Sequence, residues 1–338
     1  MGDHSKIEWT EATWNALRGC SRVSEGCRHC YAEQVAGTRL AYPGAPYEGL
    51  TTLSKKGEPR WTGEVRFVPH LLDQPMRWSK SRRIFVNSMS DVFHEEVSDE
   101  TIALLFCAMA VAPQHVYQLL TKRSRRMREW FAKVEEGKEK HPQLPMARLM
   151  EMAMAHTHPR SPTIDSKDPI QRVLTWYARH SVHEVSWPLK SVWLGVSAED
   201  ATTADERVHD LDYCSAEVKW VSYEPALGPV ASWAGLTGQD GPPQIDWVVV
   251  GGESGKAARP FNLDWARRTI EDGKRHGYPV FVKQLGSDPY SPQMEEGVPM
   301  YGKREDGSYG LRLADKKGGD WDEWPMDLRV REYPEART

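Results

Sequence analysis

The 338-residue chain lacks a long hydrophobic run and lacks a strong excess of either charge. No stretch approaches the roughly 18 apolar residues of a membrane-spanning helix, so we expect no contact with a membrane. The formal net charge of −4 argues against a protein that coats nucleic acid by bulk charge. The N-terminal residues contain no apolar core of a secretory signal, and we therefore expect a cytoplasmic protein.

Cysteine is scarce, with five residues in the chain, but three of them lie within eleven residues. Cys20, Cys27 and Cys30 have the spacing Cys-x6-Cys-x2-Cys. In a reducing compartment, clustered thiols are more often metal ligands than disulfide partners. A structural zinc site uses four protein ligands, whereas three cysteines on a [4Fe–4S] cluster leave one iron open. We favour the cluster; zinc with His29 or a distant histidine, and unrelated buried cysteines, are the alternatives.

Short apolar runs alternate with helical stretches along the chain. Continuous apolar runs of about three to five residues are typical of strands buried on both faces of a parallel sheet. Helix signals fit between them, with Ser98 and Asn262 as N-caps, Ser124 as a start and Gly277 as a stop. The six runs are Ile84–Val86, Val116–Leu120, Val192–Val196, Lys219–Val221, Trp247–Val250 and Val280–Val282.

The pattern predicts an α/β fold with a partial parallel β/α barrel over residues 1–286. Polar residues follow each of the six runs, where such folds bind their ligands, and one shared mouth favours a barrel over a doubly wound sheet. Residues 133–188 interrupt the pattern and predict a helical insertion. Residues 287–338 predict a small C-terminal β extension on the barrel, with a hairpin turn at Asp306-Gly307.

Motifs spread over most of the chain resemble a family of phage and bacterial three-cysteine-motif proteins of unknown function. That family is in turn similar to radical S-adenosylmethionine (SAM) enzymes. If a phage encodes the chain, the expected location is the host cytoplasm. The motifs that carry the resemblance are TWNALRGCSRVSEGCRHCYAE, FVNSMSDVFHEEV, LLTKR, WLGVSAE, WVSYEP, VVVGGESG and FVKQLG.

The resemblance implies a radical SAM type of barrel, with a [4Fe–4S] cluster in the loop after the first strand. Cys20, Cys27 and Cys30 would be its ligands, and its open iron would bind SAM. Reductive cleavage of SAM then yields a 5′-deoxyadenosyl radical that takes hydrogen from a substrate. The first cysteine gap is six residues where three is commoner, and Gly-Gly-Glu stands at 251–253 rather than after the second strand.

Polar residues at the strand ends are the candidate ligand contacts. Asn87, Ser88, Ser90 and Asp91 would hold the amino group of SAM, or form a turn before a helix. Ser197 and Glu199 would bind a ribose or an amino group, or cap a helix. The candidate catalytic residues are Glu224, Glu253 and Lys283: two carboxylates that position a substrate or move a proton, and a cation for a substrate anion.

The favoured hypothesis is therefore an iron–sulfur enzyme that uses SAM, an electron donor and an unknown substrate. Two basic runs, at 77–83 and 122–128, suggest a nucleotide or nucleic acid as that substrate. The alternative is a nucleic-acid-binding or partner-binding protein that zinc or an iron–sulfur cluster staples, without SAM chemistry.

Overall fold

In the computed structural model of the protein, the described residues are 5–156, 167–184, 186–236, 238, 241–297 and 299–335. These residues form seven α-helices and fifteen β-strands. The helices α1 to α7 are Tyr31–Arg39, Asp99–Ala110, Ser124–Glu135, Leu144–Ala155, Pro169–Glu184, Ala201–Asp212 and Leu263–His276. The strands β1 to β15 are Ala12–Trp14, Leu17–Arg18, Thr51–Leu53, Pro59–Trp61, Arg66–Phe67, Arg83–Val86, Val116–Thr121, Val192–Ser197, Val218–Tyr223, Trp247–Gly251, Phe261–Asn262, Val280–Gln284, Pro289–Ser291, Met300–Lys303 and Tyr309–Leu311.

Seven strands form one sheet in the order β1-β6-β7-β8-β9-β10-β12, which is their order along the chain. The pairs β1/β6, β6/β7, β9/β10 and β10/β12 are parallel. A doubly wound sheet reverses its strand order at a switch point, and this sheet does not. The predicted α/β class with a parallel sheet is confirmed, and its connectivity is that of a β/α barrel.

All six apolar runs predicted as strands are strands of this sheet. Every residue of β8 and of β10 is buried, as expected for parallel strands covered on both faces. The seventh strand, β1, was not among the predicted runs. It has only three residues, Ala12, Thr13 and Trp14, which pair with β6, and a single polar residue between two buried ones is too short a pattern to stand out.

The chain divides into two compact units. The first comprises Met1–Val23, Cys30–Leu194 and Tyr213–Glu217, and the second comprises Ser24–His29, Gly195–Asp212 and Val218–Thr338. Strand β8 begins in the first unit and ends in the second. The predicted boundary at residue 286 falls inside the second unit, and the division there stays a prediction.

The predicted helix signals act as expected. The Ser98 hydroxyl accepts a hydrogen bond from the Thr101 N–H at the start of α2, and the Asn262 side chain caps α7. Gly277 ends α7 with a φ of 80°. The predicted insertion contains α4 and α5, which pack against α2 in the first unit; its residues 157–166 and 185 lie outside the described part. No described helix combines the length and the apolar character that crossing a membrane requires.

Strands β13, β14 and β15 of the C-terminal extension join β11 in a second sheet of order β11-β13-β15-β14, and the predicted hairpin at 306–307 joins β14 to β15. The packing of the extension on the barrel stays a prediction. Its last segment lies along the edge strand β12, where the Val282 N–H donates to the Val330 carbonyl and the Glu332 N–H donates to the Val280 carbonyl. The backbone groups at this sheet edge need hydrogen-bond partners, and the tail supplies them.

Candidate metal centre

The three clustered cysteines follow the first sheet strand. Cys20 comes after β2 and Cys30 directly precedes α1, both in the first unit, while Cys27 ends a short 3-10 turn in the second. None of the three thiols is in a disulfide and all three are partly exposed, whereas the other two cysteines, Cys107 and Cys214, are buried. The structure therefore separates a reachable set of thiols from two core residues.

Gly19 fixes the backbone just before Cys20. Its φ is +95°, and a Cβ placed there would lie 2.1 Å from the carbonyl oxygen of Glu64. Both the left-handed conformation and the close approach exclude a side chain. No local sequence pattern singles out Gly19, because only the folded chain reveals the approach of Glu64.

Arg123 is the polar neighbour of Cys20. Its Nη1 lies 3.8 Å from the Cys20 Sγ, and its Nη2 donates to the carbonyl and hydroxyl oxygens of Ser21 at 3.1 and 2.7 Å. The Ser21 hydroxyl also lies 2.9 Å from Nε2 of His94. Burial, together with the charge of Asp91, raises the pKa of Cys20 to about 12, and Arg123 opposes that shift.

Asp91 holds the Arg123 guanidinium in place through a hydrogen bond to its carboxylate. Its Oδ2 accepts hydrogen bonds from Nη1 of Arg123 and the N–H of Lys122, each at 3.2 Å. Its Oδ1 accepts from the hydroxyl of Thr121 at 2.7 Å and the N–H of Phe93 at 3.0 Å. Four donors therefore satisfy this buried carboxylate within the fold, and its assignment to SAM stays a prediction.

The other three predicted residues after β6 differ in which hydrogen-bonding groups their side chains leave available to a ligand. The hydroxyls of Ser88 and Ser90 donate to the Asn15 side chain at 3.2 Å and to the Leu17 carbonyl at 3.1 Å. The Asn87 side-chain oxygen accepts from the Leu17 N–H at 3.1 Å. Its buried amide nitrogen has no hydrogen-bond partner among the described residues, and its φ is 57°. Asn87 therefore offers a hydrogen-bond donor where Ser88 and Ser90 already have internal acceptors.

Glu33 connects both sides of the cysteine segment. This fully buried carboxylate on α1 accepts from Nε of Arg22 at 3.1 Å and from the Trp61 N–H at 2.9 Å. Arg22 follows Cys20 by two residues, and Glu33 follows Cys30 by three. The ion pair thus fixes the loop to the helix, a role that sequence spacing did not indicate.

Glu199 anchors the segment around Cys27 in the second unit. It accepts from the Ser24 hydroxyl at 2.8 Å and pairs with Arg207 at 3.1 Å. A Cβ on Gly26 would lie 2.1 Å from the Glu199 carboxylate, so glycine permits this approach. Glu199 was predicted as a cofactor contact; here it holds the loop, and the cofactor role stays a prediction.

The ends of β8, β9 and β12 bring three predicted residues together in the second unit. Lys283 Nζ lies 3.2 Å from both carboxylate oxygens of Glu224, and the Ser197 hydroxyl donates to the Glu224 carbonyl at 3.1 Å. Helix α6 takes its cap from Asp200, which accepts from the Thr203 N–H at 2.9 Å. The alternative reading of Ser197 as a helix cap is therefore wrong.

Glu253 pairs with cations rather than with a second carboxylate. Arg259 donates to its two oxygens at 2.7 and 3.0 Å, and Nδ1 of His29 lies at 2.9 Å. Burial alone would raise the pKa of Glu253, but the hydrogen bonds from Arg259 and His29 outweigh burial and lower it. Glu253 and Glu224 therefore each have a basic partner of their own, Arg259 and Lys283.

Most of the arginines in the two basic runs have partners within the same chain. Arginines in both runs contact acidic or aromatic side chains of their own chain, as solvated surface helices commonly do. The pairs are Arg77–Asp73, Arg125–Glu129, Arg126–Asp99, Arg82–Trp78 and Arg128–Tyr213.

The donor groups are of the chemical kind that an iron–sulfur cluster uses. Two of the three thiols lie in the first unit and one in the second, and a buried guanidinium is directed at the Cys20 sulfur, the kind of outer contact that orients metal ligands. Across the described residues, no three His, Cys, Asp or Glu side chains are grouped to hold a single metal ion. In a [4Fe–4S] cluster the thiolates bind different iron atoms, so its ligands need not meet at one point.

Comparison with known proteins gives a family without an activity. A search of curated proteins found no match, and neither did a search of solved structures. A family model described as a protein of unknown function, DUF5131, matches residues 4–325. This range contains the cysteine segment and every strand of the parallel sheet. The chain therefore belongs to this family of proteins of unknown function.

Proposed function

We propose that the protein is a radical-SAM-like enzyme in which Cys20, Cys27 and Cys30 hold a [4Fe–4S] cluster. The observation that carries the proposal is the set of three partly exposed cysteines, none of them in a disulfide, that follows the first strand of the parallel sheet. Three thiolates leave one iron open to an exogenous ligand. The resemblance to radical SAM enzymes makes SAM that ligand.

The strand order supports this proposal at the level of the fold. Parallel strands joined in chain order have the connectivity of a partial β/α barrel, the architecture that the resemblance implies. In such folds the ligand lies at the carboxyl ends of the strands. The polar residues that follow β6, β8, β9, β10 and β12 are at those ends.

Within this proposal, Asn87 is the residue best suited to touch SAM. Its buried amide nitrogen is a donor without a partner in the described chain, so it suits the carboxylate of SAM better than its amino group. When bound, a cluster of this kind supplies the electron that cleaves SAM. Ser88, Ser90 and Asp91 would then act by supporting the strand end.

Lys283 and Glu224 are the proposed substrate contacts. The pair is partly exposed, so Lys283 can hold a proton or meet an anionic group beside the carboxylate. Glu253, with its pKa lowered, remains a carboxylate and orients His29. A nucleotide or nucleic acid substrate gains no support from the internally paired arginines of the basic runs.

Turnover of SAM tests the proposal. Protein purified without oxygen is mixed with SAM and dithionite, and 5′-deoxyadenosine is measured by chromatography. We expect its formation in the wild type and background levels in Cys27→Ala. Absence of both 5′-deoxyadenosine and any SAM-dependent spectral change, in protein that holds iron, would refute SAM chemistry.

A second candidate function is a metal-stapled binding protein without SAM chemistry. The internal hydrogen bonds of Ser88, Ser90 and Asp91 favour it, because they occupy groups that SAM would need. Protein that holds zinc, or that holds iron but ignores SAM, is the result that this candidate predicts.

A further inference from the structure

Arg123 is buried almost completely beside a predicted metal ligand. Its side chain is 4% exposed, and its guanidinium contacts Cys20, Ser21, Asp91 and Glu95. Burying a charged group costs free energy unless its hydrogen-bond donors are satisfied, so a buried arginine points to a role in its immediate surroundings. Here the surroundings are the first cysteine of the metal segment.

The contacts of Arg123 connect elements that are distant in sequence. Arg123 lies two residues after the last residue of β7, whereas Cys20 lies 103 residues earlier, after β2. Asp91, at the end of β6, and Glu95 hold the guanidinium through its Nη1 and Nε, at 3.2 and 2.8 Å. Its remaining N–H groups point at Ser21 and the Cys20 sulfur. A planar guanidinium has the fixed fork that these simultaneous contacts require, and a lysine has not.

We propose that Arg123 is a positioning residue of the metal centre, which holds the Cys20 loop and stabilises negative charge on the Cys20 sulfur. The inference rests on the proposed function, because it assumes that Cys20 binds the cluster. Reduction adds negative charge to a cluster, and charge and hydrogen bonds at its sulfurs set its potential. Arg123 should therefore make the bound cluster harder to lose and easier to reduce.

Two variants of Arg123 separate the hydrogen bonds that hold the Cys20 loop from the positive charge beside the Cys20 sulfur. Arg123→Met removes both, and Arg123→Lys keeps the charge but loses the fork. Arg126→Met is the matched control, because it removes a guanidinium of α3 that pairs with Asp99 instead. Each protein is purified without oxygen; iron release to a chelator and the midpoint potential by EPR-monitored titration are then measured, with the melting temperature as a check on folding.

We expect Arg123→Met to release iron about 10–100-fold faster than wild type, the usual cost of losing such an outer contact. Its midpoint potential should move to a more negative value. Arg123→Lys should keep the wild-type potential and still release iron at least about tenfold faster. Arg126→Met should match wild type in both measurements.

The outcomes distinguish this inference from the proposed function. If wild type holds iron, either of two results overturns the role of Arg123 alone. One is an Arg123→Lys variant that releases iron as slowly as wild type, and the other is a folded Arg123→Met variant whose midpoint potential is unchanged. Wild type that never holds iron overturns both. If Arg123→Met does not fold, the iron release of Arg123→Lys decides.

Discussion

Cys20 and Cys27 belong to the same short motif but are held in different ways. In the first unit, the side chain of Arg123, from a distant strand end, contacts the Cys20 sulfur, and Asp91 holds that side chain in turn. In the second unit, Cys27 ends a local turn in which its N–H donates to Ser24 at 3.0 Å, and Glu199 fixes that turn. One cysteine thus depends on buried charge and the other on local backbone, so substitutions should affect the two differently.

The largest effect should come from the cysteines themselves. Cys27→Ala removes a ligand, and we expect no stable iron to remain after anaerobic reconstitution, as measured by iron and sulfide content. Cys214→Ala is the control, because Cys214 is buried and lies outside the motif. Equal iron in both variants would contradict the ligand assignment.

Asp91→Asn should destabilise the buried contacts around Cys20. It leaves the buried Arg123 guanidinium short of a counter-charge, which costs about 3–5 kcal/mol of unfolding free energy for a buried pair. Glu95→Gln alters the exposed partner of the same guanidinium and should cost about 0–1 kcal/mol. Denaturant unfolding measures both, and equal losses would show that Asp91 is no anchor.

Gly19→Ala should have the next largest effect. The left-handed backbone costs about 1–3 kcal/mol in a residue with a Cβ, and the contact with Glu64 adds to it. Gly57→Ala is a matched control, since Gly57 also has a positive φ but nothing lies within 4 Å of its added Cβ. Thermal unfolding should rank Gly19→Ala below Gly57→Ala in stability; the reverse order would contradict the close approach.

Lys283→Met should have the smallest effect on stability. The pair with Glu224 is partly exposed, and such pairs contribute about 0–1 kcal/mol. Because Lys283 is a proposed substrate contact and not a proposed cluster ligand, iron content should stay at the wild-type level while SAM-dependent product formation falls. A large loss of stability would show that the pair is structural.

The sequence was sufficient for most of the sheet because buried parallel strands leave continuous apolar runs. Strand β8 is an example, with all six of its residues buried. The contacts of Arg123 and Glu33 could not be predicted from the sequence, because they depend on which distant segments of the chain meet in the fold. The local sequence places Arg123 in a basic run that follows a strand, and nothing there indicates a contact with Cys20. Its burial beside Cys20 follows from the order of β6 and β7, which no local pattern encodes.

The central claim is that three cysteines hold an open iron–sulfur cluster, and metal analysis of anaerobically purified wild-type protein tests it most directly. Iron, acid-labile sulfide and zinc are measured per chain, together with the visible absorption spectrum. We predict a brown protein with about four irons and about four sulfides per chain. A colourless protein that holds zinc and takes up no iron on anaerobic reconstitution would contradict the claim.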